Sequence, residues 1–364
     1  MNYLYTLFIE YFKSNNLPEI IALTLFPIIP FIVVAFFLII LVLGLVLMER
    51  KLLGFFTQRK GPNRVGYWGL LQTVADAFKL LCKENITPSA ADKFLFTLAP
   101  IIVFVPVVVI LGVLPYNAEF NLMSIPTNLI FYMVLAFLPV LGLLIAGYAS
   151  NNKYSIIGGV RAVIQALSYE LPLAFVVLGV VVLASSLNLN DITMAQYSRF
   201  GFFSWFIIPS FVGFIVAFIS ILAELNRCPF DLPEAESELV AGYSTEYSGM
   251  RFALFYLAEY TLMFANAVFI SILFLGGYLS PFGVYFVNLI FGYEGFANVL
   301  VYLEQLFWLF SKTFLVIFLF MLIRATLPRL QSDKLLKFSW TYLLPLSILN
   351  LFVCMLVKFS GGLL

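Results

Sequence analysis

Residues 20–48 read IIALTLFPIIPFIVVAFFLIILVLGLVLM, 29 consecutive positions without a charge. As a helix rising ~1.5 Å per residue, the run is ~43 Å long, against a bilayer hydrocarbon core of ~30 Å. It predicts a transmembrane helix that is strongly tilted or bent, with Pro27 and Pro30 offering the place to bend. Seven further apolar runs follow, at about residues 94–114, 127–149, 160–186, 202–224, 252–279, 302–325 and 339–358. The chain of 364 residues is 63% hydrophobic and 11% charged, too apolar for polar groups to cover a soluble surface. These features predict an all-α polytopic membrane protein, a single integral-membrane domain of about eight transmembrane helices.

Charge sets the sides. The loops at 49–93, 150–161, 225–251 and 324–338 hold sixteen of the twenty Lys and Arg residues. That asymmetry places these loops on the inner face and both termini on the other. The N-terminus lacks a basic region and carries Glu10 and Glu19, so it does not read as a signal peptide. No internal repeat is visible, which counts against an inverted-repeat transporter. The net charge of +1 points to no nucleic-acid partner.

The chain has no histidine, and its three cysteines, Cys82, Cys228 and Cys354, form no CxxC pair. This excludes bis-histidine haem, histidine-ligated metals and an iron–sulfur ligand pattern. No glycine-rich phosphate loop follows a strand-like run. Electrons for any redox role must therefore come from another chain, and no metal or catalytic residue is expected in this one.

Seven of the nineteen acidic residues lie at positions 224–259, in AELNRCPFDLPEAESELVAGYSTEYSGMRFALFYLAEY (residues 223–260). Glu224 and Glu259 sit at the membrane-facing ends of this stretch. Asp231, Glu234, Glu236, Glu238 and Glu246 lie on the loop between, which Pro229 and Pro233 stiffen. Glu170 lies about eleven residues into the fourth run, counted from Gly159. Charge is expensive at membrane depth, so carboxylates there are candidate proton carriers rather than passive ion pairs. Adjacent carboxylates on the loop can share protons, which suits a relay.

The first inner loop reads ERKLLGFFTQRKGPNRVGYWGLLQTVADAFKLLCKE (residues 49–84). Glu49, Arg50 and Lys51 are expected to end the first helix. From Tyr67 the apolar positions Leu70, Leu71, Val74, Phe78 and Leu81 oppose Gln72, Asp76, Lys79 and Lys83, the pattern of an interfacial amphipathic helix. The alternatives here are a plain anchor or a headgroup-depth pocket walled by Phe55 and Phe56 and polarised by Arg50 and Arg59.

These stretches, with RAVIQALSYE at residues 161–170, resemble the signatures of the first membrane subunit of NADH:ubiquinone oxidoreductase (respiratory complex I), known in bacteria as the H subunit. The resemblance covers about residues 45–335, with all three motifs in order. It implies eight transmembrane helices, the first strongly tilted, and a ubiquinone tunnel shared with two hydrophilic subunits, one of which carries the terminal iron–sulfur cluster; FMN and iron–sulfur clusters are expected in partner subunits and no cofactor in this chain. By motif, Arg50, Arg59, Asp76, Ala77, Phe252 and Phe255 correspond to quinone tunnel or entrance residues; Phe55 and Phe56 join this expected quinone-binding set as the aromatic walls of the pocket read above. Glu170, Glu224, Asp231, Glu234, Glu236, Glu238, Glu246 and Glu259 correspond to an acidic path toward proton translocation, with Arg227 and Arg324 as positive counterparts. The last inner loop departs from the family's pattern at Gln331 and Lys334, and Cys228 replaces a small residue or Thr. The implied partners are other complex I subunits, ubiquinone and membrane lipid. The alternatives are the homologous subunit of a membrane-bound hydrogenase, a stand-alone cation/proton antiporter, or a structural anchor. Richness in Phe, Ile, Leu, Tyr and Asn is the mark of AT-rich coding, hence an expected mitochondrial inner membrane, with a bacterial plasma membrane as the alternative.

Overall fold

A computed structural model describes residues 28–118, 122–123, 125–198, 201–283, 285 and 295–361, and it leaves out the side chains of 28–33, 236–237 and 295–299. Among the described residues the elements are helical throughout. They are α1 (Ile28–Phe56), α2 (Gln72–Cys82), α3 (Lys93–Val113), α4 (Asn128–Ala149), α5 (Lys153–Ala184), α6 (Leu189–Ala195), α7 (Phe211–Glu224), α8 (Glu236–Leu239), α9 (Gly249–Phe274), α10 (Gly295–Thr326) and α11 (Ser332–Phe359). Six helices among the described residues are long and apolar enough to cross a membrane: α3, α4, α5, α9, α11 and, from Leu300 onward, α10. With α1 and the shorter α7, each of the eight predicted spans holds an apolar helix.

α9 is the axis of the bundle. From Tyr260 to its end at Phe274 every residue is buried. α3 and α10 pack along it, and α4 and α5 continue the bundle from α3. Such all-round burial suits a helix enclosed by protein rather than lipid. α11 is the opposite case, with Leu349, Phe352 and Leu356 exposed on its apolar face.

Three boundaries differ from the sequence expectation. α1 does not end at Glu49 but runs on to Phe56, because Glu49 and Arg50 find ion-pair partners on other segments. Pro27 and residues 20–26 of the predicted span lie outside the described residues. The fifth run is helical in α form only from Phe211; residues 201–204 form a 3-10 turn, and α7 is 14 residues, ~21 Å. α5 starts at Lys153, seven residues ahead of the predicted span, where the Asn152 side chain caps the Tyr154 N–H. Glu170 is thus seventeen residues into α5, near its middle.

Lys312 lies within α10 yet is buried. Its ammonium donates to the carbonyls of Leu275 (2.7 Å), Gly277 (2.9 Å) and Leu279 (2.6 Å) and lies 4.1 Å from the Trp205 ring centroid. It thereby satisfies carbonyls at and just beyond the C-terminus of α9, where a cation is favoured.

Candidate functional site

The acidic stretch begins where α7 stops. Asn226 adopts a left-handed conformation (φ 52°), which turns the chain out of the helix. Gln165 on α5 then holds the turn: its amide donates to the carbonyls of Ala223 (2.6 Å) and Phe230 (2.7 Å) and to the Asn226 side chain (3.2 Å). Ser155 donates to the Tyr243 carbonyl at 3.1 Å. Two glycines let the loop approach closely. A Cβ on Gly158 would stand 2.7 Å from the Pro233 oxygen, and one on Gly242 (φ +54°) only 1.7 Å from that atom.

Arg227 is the centre of the buried charges. Its guanidinium donates to Glu49 (2.7 Å) on α1 and to Glu259 (2.7 Å) on α9, and stacks 4.3 Å from the Tyr260 centroid. The other Glu49 oxygen accepts from Arg324 at the end of α10. The side chains of Glu49 and Arg227 are each 4% exposed, so neither charge is water-screened. Burial alone would depress Arg227, but Glu259 and Glu49 more than offset it and hold the guanidinium charged. Glu49 was read from sequence only as a helix end; nothing in its local pattern marks it as shared by two arginines.

Beside this cluster is a cavity of about 50 Å³ that Glu224, Glu234, Glu259 and Tyr243 line. Apart from Asn226 its other walls are apolar, among them Val103 and Val107 on α3, Val140 and Leu143 on α4, and Phe255 and Leu262 on α9. A cavity of this size with polar groups on its wall has room for at least one water. Tyr243 donates to Glu234 at 3.1 Å. Burial first, then the neighbouring charges of Glu259 and Asp231, push Glu234 up to about 7. Burial and Glu234 raise the Tyr243 phenol far above its usual range, so it stays a donor. Deeper in, Glu224 accepts from Asn266 (3.4 Å), whose own carbonyl accepts from Tyr132. The second Glu224 oxygen is buried without a hydrogen-bond partner among the described residues.

The remaining predicted acids take other positions. Asp231 pairs with Arg329 (2.9 Å), Glu238 with Arg161 (2.6 Å), and Glu246 accepts from Asn152 (2.8 Å). Each ties the loop to a neighbouring element rather than lining the cavity. The Glu236 side chain lies outside the described residues. Glu170 is half-buried on α5, with no hydrogen bond to its carboxylate among the described residues. Cys228 is half-buried and its thiol donates to the Leu327 carbonyl (3.5 Å).

The residues of the expected quinone region fall into separate groups. Arg50 on α1 is ion-paired with Asp76 on α2. Phe55 and Phe56 meet edge to face (6.2 Å), and Phe56 also meets Phe318 on α10 (6.2 Å). Arg59 is exposed on the loop that folds back over α1, where Gly54 and Gly61 come together. Ala77 is half-buried on α2. Phe252 packs on Tyr256 (4.9 Å), but Phe255 is buried between Tyr243 (5.5 Å) and Tyr247 (4.9 Å) and faces the acidic cavity.

The profile of the family described as NADH dehydrogenase matches residues 29–355. The H subunit of NADH-quinone oxidoreductase from Brevibacillus brevis is 46% identical over 337 residues, which is 91% of this chain and 94% of that relative. Its counterpart from Bacillus cytotoxicus is 47% identical over 329 residues (89% and 92%), and that from Anoxybacillus flavithermus 46% over 327 residues (88% and 92%). With near-complete coverage on both sides, and with the three motifs placed around one buried charge cluster, this chain belongs to the NADH dehydrogenase family, as a complex I membrane subunit of the bacterial H type.

Proposed function

We propose that the subunit walls the ubiquinone site of its enzyme where α1 meets α2, and carries an acidic path that couples quinone reduction to proton translocation. The observation that supports this most is that Glu49 and Arg50 are neighbours on α1. Arg50 is tied to Asp76 in the expected quinone region, while Glu49 is tied to Arg227, which holds Glu259 on the acidic cavity. A charge change at one cluster is thus felt one residue away by the other.

In this reading ubiquinone enters from the bilayer along Phe55 and Phe56, and its head reaches the Arg50–Asp76 region. Two electrons reach it from an iron–sulfur cluster, fed from FMN, both held by partner subunits. The two protons that complete the quinol change the field at α1. The Glu49–Arg227–Glu259 pairing responds, and Glu224, Glu234 and Glu259, with Glu170, exchange protons by way of cavity water. Adjacent membrane-arm subunits receive the result. The chain is not catalytic alone. The bacterial relatives favour a plasma-membrane location and lend no support to the mitochondrial inner membrane expected from composition.

The test uses the whole enzyme in proteoliposomes. Glu224→Gln and Glu259→Gln should lower protons moved per quinone reduced by at least half while quinone reduction continues in uncoupled vesicles. Unchanged pumping in both variants would leave only a structural role. Proton-driven cation exchange by the chain alone would favour the antiporter instead.

A further inference from the structure

A second, wholly apolar groove of about 280 Å³ opens between α3, α4 and α5, lined by Leu95, Leu144, Ile145, Tyr148, Ile156 and Val160. It shares no residue with the acidic cavity. Its position in the bilayer follows from the chain direction. Leu95 is in the first turn of α3, Tyr148 in the last turn of α4, and Ile156 in the first turn of α5. These ends all meet the basic inner-face loops, so the groove lies just beneath the headgroups. Its volume falls short of the ~300–1,000 Å³ typical of a site that encloses a whole small ligand, and it suits part of a flexible chain.

The mouth carries positive charge on the same face. Lys153 is exposed and precedes Ile156 and Val160 by three and seven residues on α5, so the three share one helix face. Lys93, also exposed, opens α3 nearby, where the Asp92 N–H bonds the Ala149 carbonyl (3.1 Å). Two acids near the mouth accept from protein donors: Asp92 Oδ1 from the N–H groups of Phe94 (3.1 Å) and Leu95 (3.3 Å), and Glu246 Oε1 from Asn152 (2.8 Å). Tyr148 and Tyr154 are 68% and 51% exposed at this level, where amphipathic rings favour the interface.

We propose that this groove binds one acyl chain of an anionic phospholipid, with Lys153 against its phosphate. Lysines near a membrane surface favour anionic lipid by about five-fold each. The site is independent of the quinone reading, since none of its lining residues is among the expected quinone or proton-path residues.

The test is retention of lipid by the assembled, detergent-solubilised enzyme, incubated with mixed phosphatidylglycerol and phosphatidylcholine and weighed by native mass spectrometry. Lys153→Gln should lower retained phosphatidylglycerol about five-fold without changing phosphatidylcholine, and Lys153→Arg should restore it. Val160→Phe, which fills the groove, should lower both lipids. A photoreactive benzophenone side chain at position 160 should form adducts with phospholipid. The proposal is overturned by unchanged lipid selectivity in Lys153→Gln, or by adducts that form with quinone or with another subunit.

Discussion

Glu234 offers the sharpest quantitative test, because the fold makes its ionisation costly. Its carboxyl is enclosed by the cavity, and burial with Glu259 and Asp231 nearby moves it from the ordinary 4.5 to about 7. The unfolded chain releases this proton near 4.5, the folded chain only near 7. Between those values the folded state binds more protons than the unfolded state, so stability falls as pH rises, by about 1.4 kcal/mol for each pH unit. The loss is complete above about pH 7 and amounts to roughly 3 kcal/mol. Glu234→Gln keeps a carbonyl oxygen to accept from Tyr243 but cannot ionise. The variant should match the parent at pH 4.5, and exceed it by roughly 3 kcal/mol at pH 8. Thermal disassembly of the purified enzyme, followed in parallel at pH 4.5, 6 and 8, measures this difference. A constant offset across the three pH values, or a variant less stable at pH 8, would refute the reasoning. Coupling should move in the opposite sense, since a neutral amide cannot pass a proton between Glu259 and Glu224.

Three further outcomes follow from the geometry. Glu49→Gln leaves Arg227 and Arg324 short of a shared carboxylate and should destabilise the assembled enzyme by about 3–5 kcal/mol; Glu49→Gln with Arg227→Met should cost less than the sum of the singles, read from thermal disassembly. Gly242→Ala forces a Cβ to 1.7 Å from the Pro233 oxygen and should abolish coupled activity, whereas Gly44→Ala meets nothing within 4 Å and should leave turnover unchanged. Arg50→Gln breaks a pair whose side chains are 44% and 35% exposed, so stability should change by less than about 1 kcal/mol, while the KM for ubiquinone rises several-fold with assembly intact.

Hydropathy carried most of the helix layout. Among the described residues each of the eight apolar runs holds a helix, because a backbone in hydrocarbon has few other ways to satisfy its N–H and C=O groups. Boundaries went wrong where tertiary partners overrode local signals. Glu49 and Arg50 look like a helix end until Arg227, Arg324 and Asp76 supply counter-charges, and then the helix continues for another two turns. The fifth run looks like a full span, yet its first part turns in 3-10 form.

At the site, residue types were legible and their grouping was not. That carboxylates lie in or beside apolar runs and on a proline-stiffened loop is legible in residue order, since run length and backbone restriction are local properties. Their grouping in space came from the fold. It gathered Glu224, Glu234 and Glu259 around one cavity, spent Asp231, Glu238 and Glu246 on fastening the loop, and put Phe255 on the acidic side rather than in an open groove. It also made Glu49 the link between α1, Arg227 and Arg324. Those choices depend on which side chains meet across elements separated by up to 275 residues, and no local spacing encodes that.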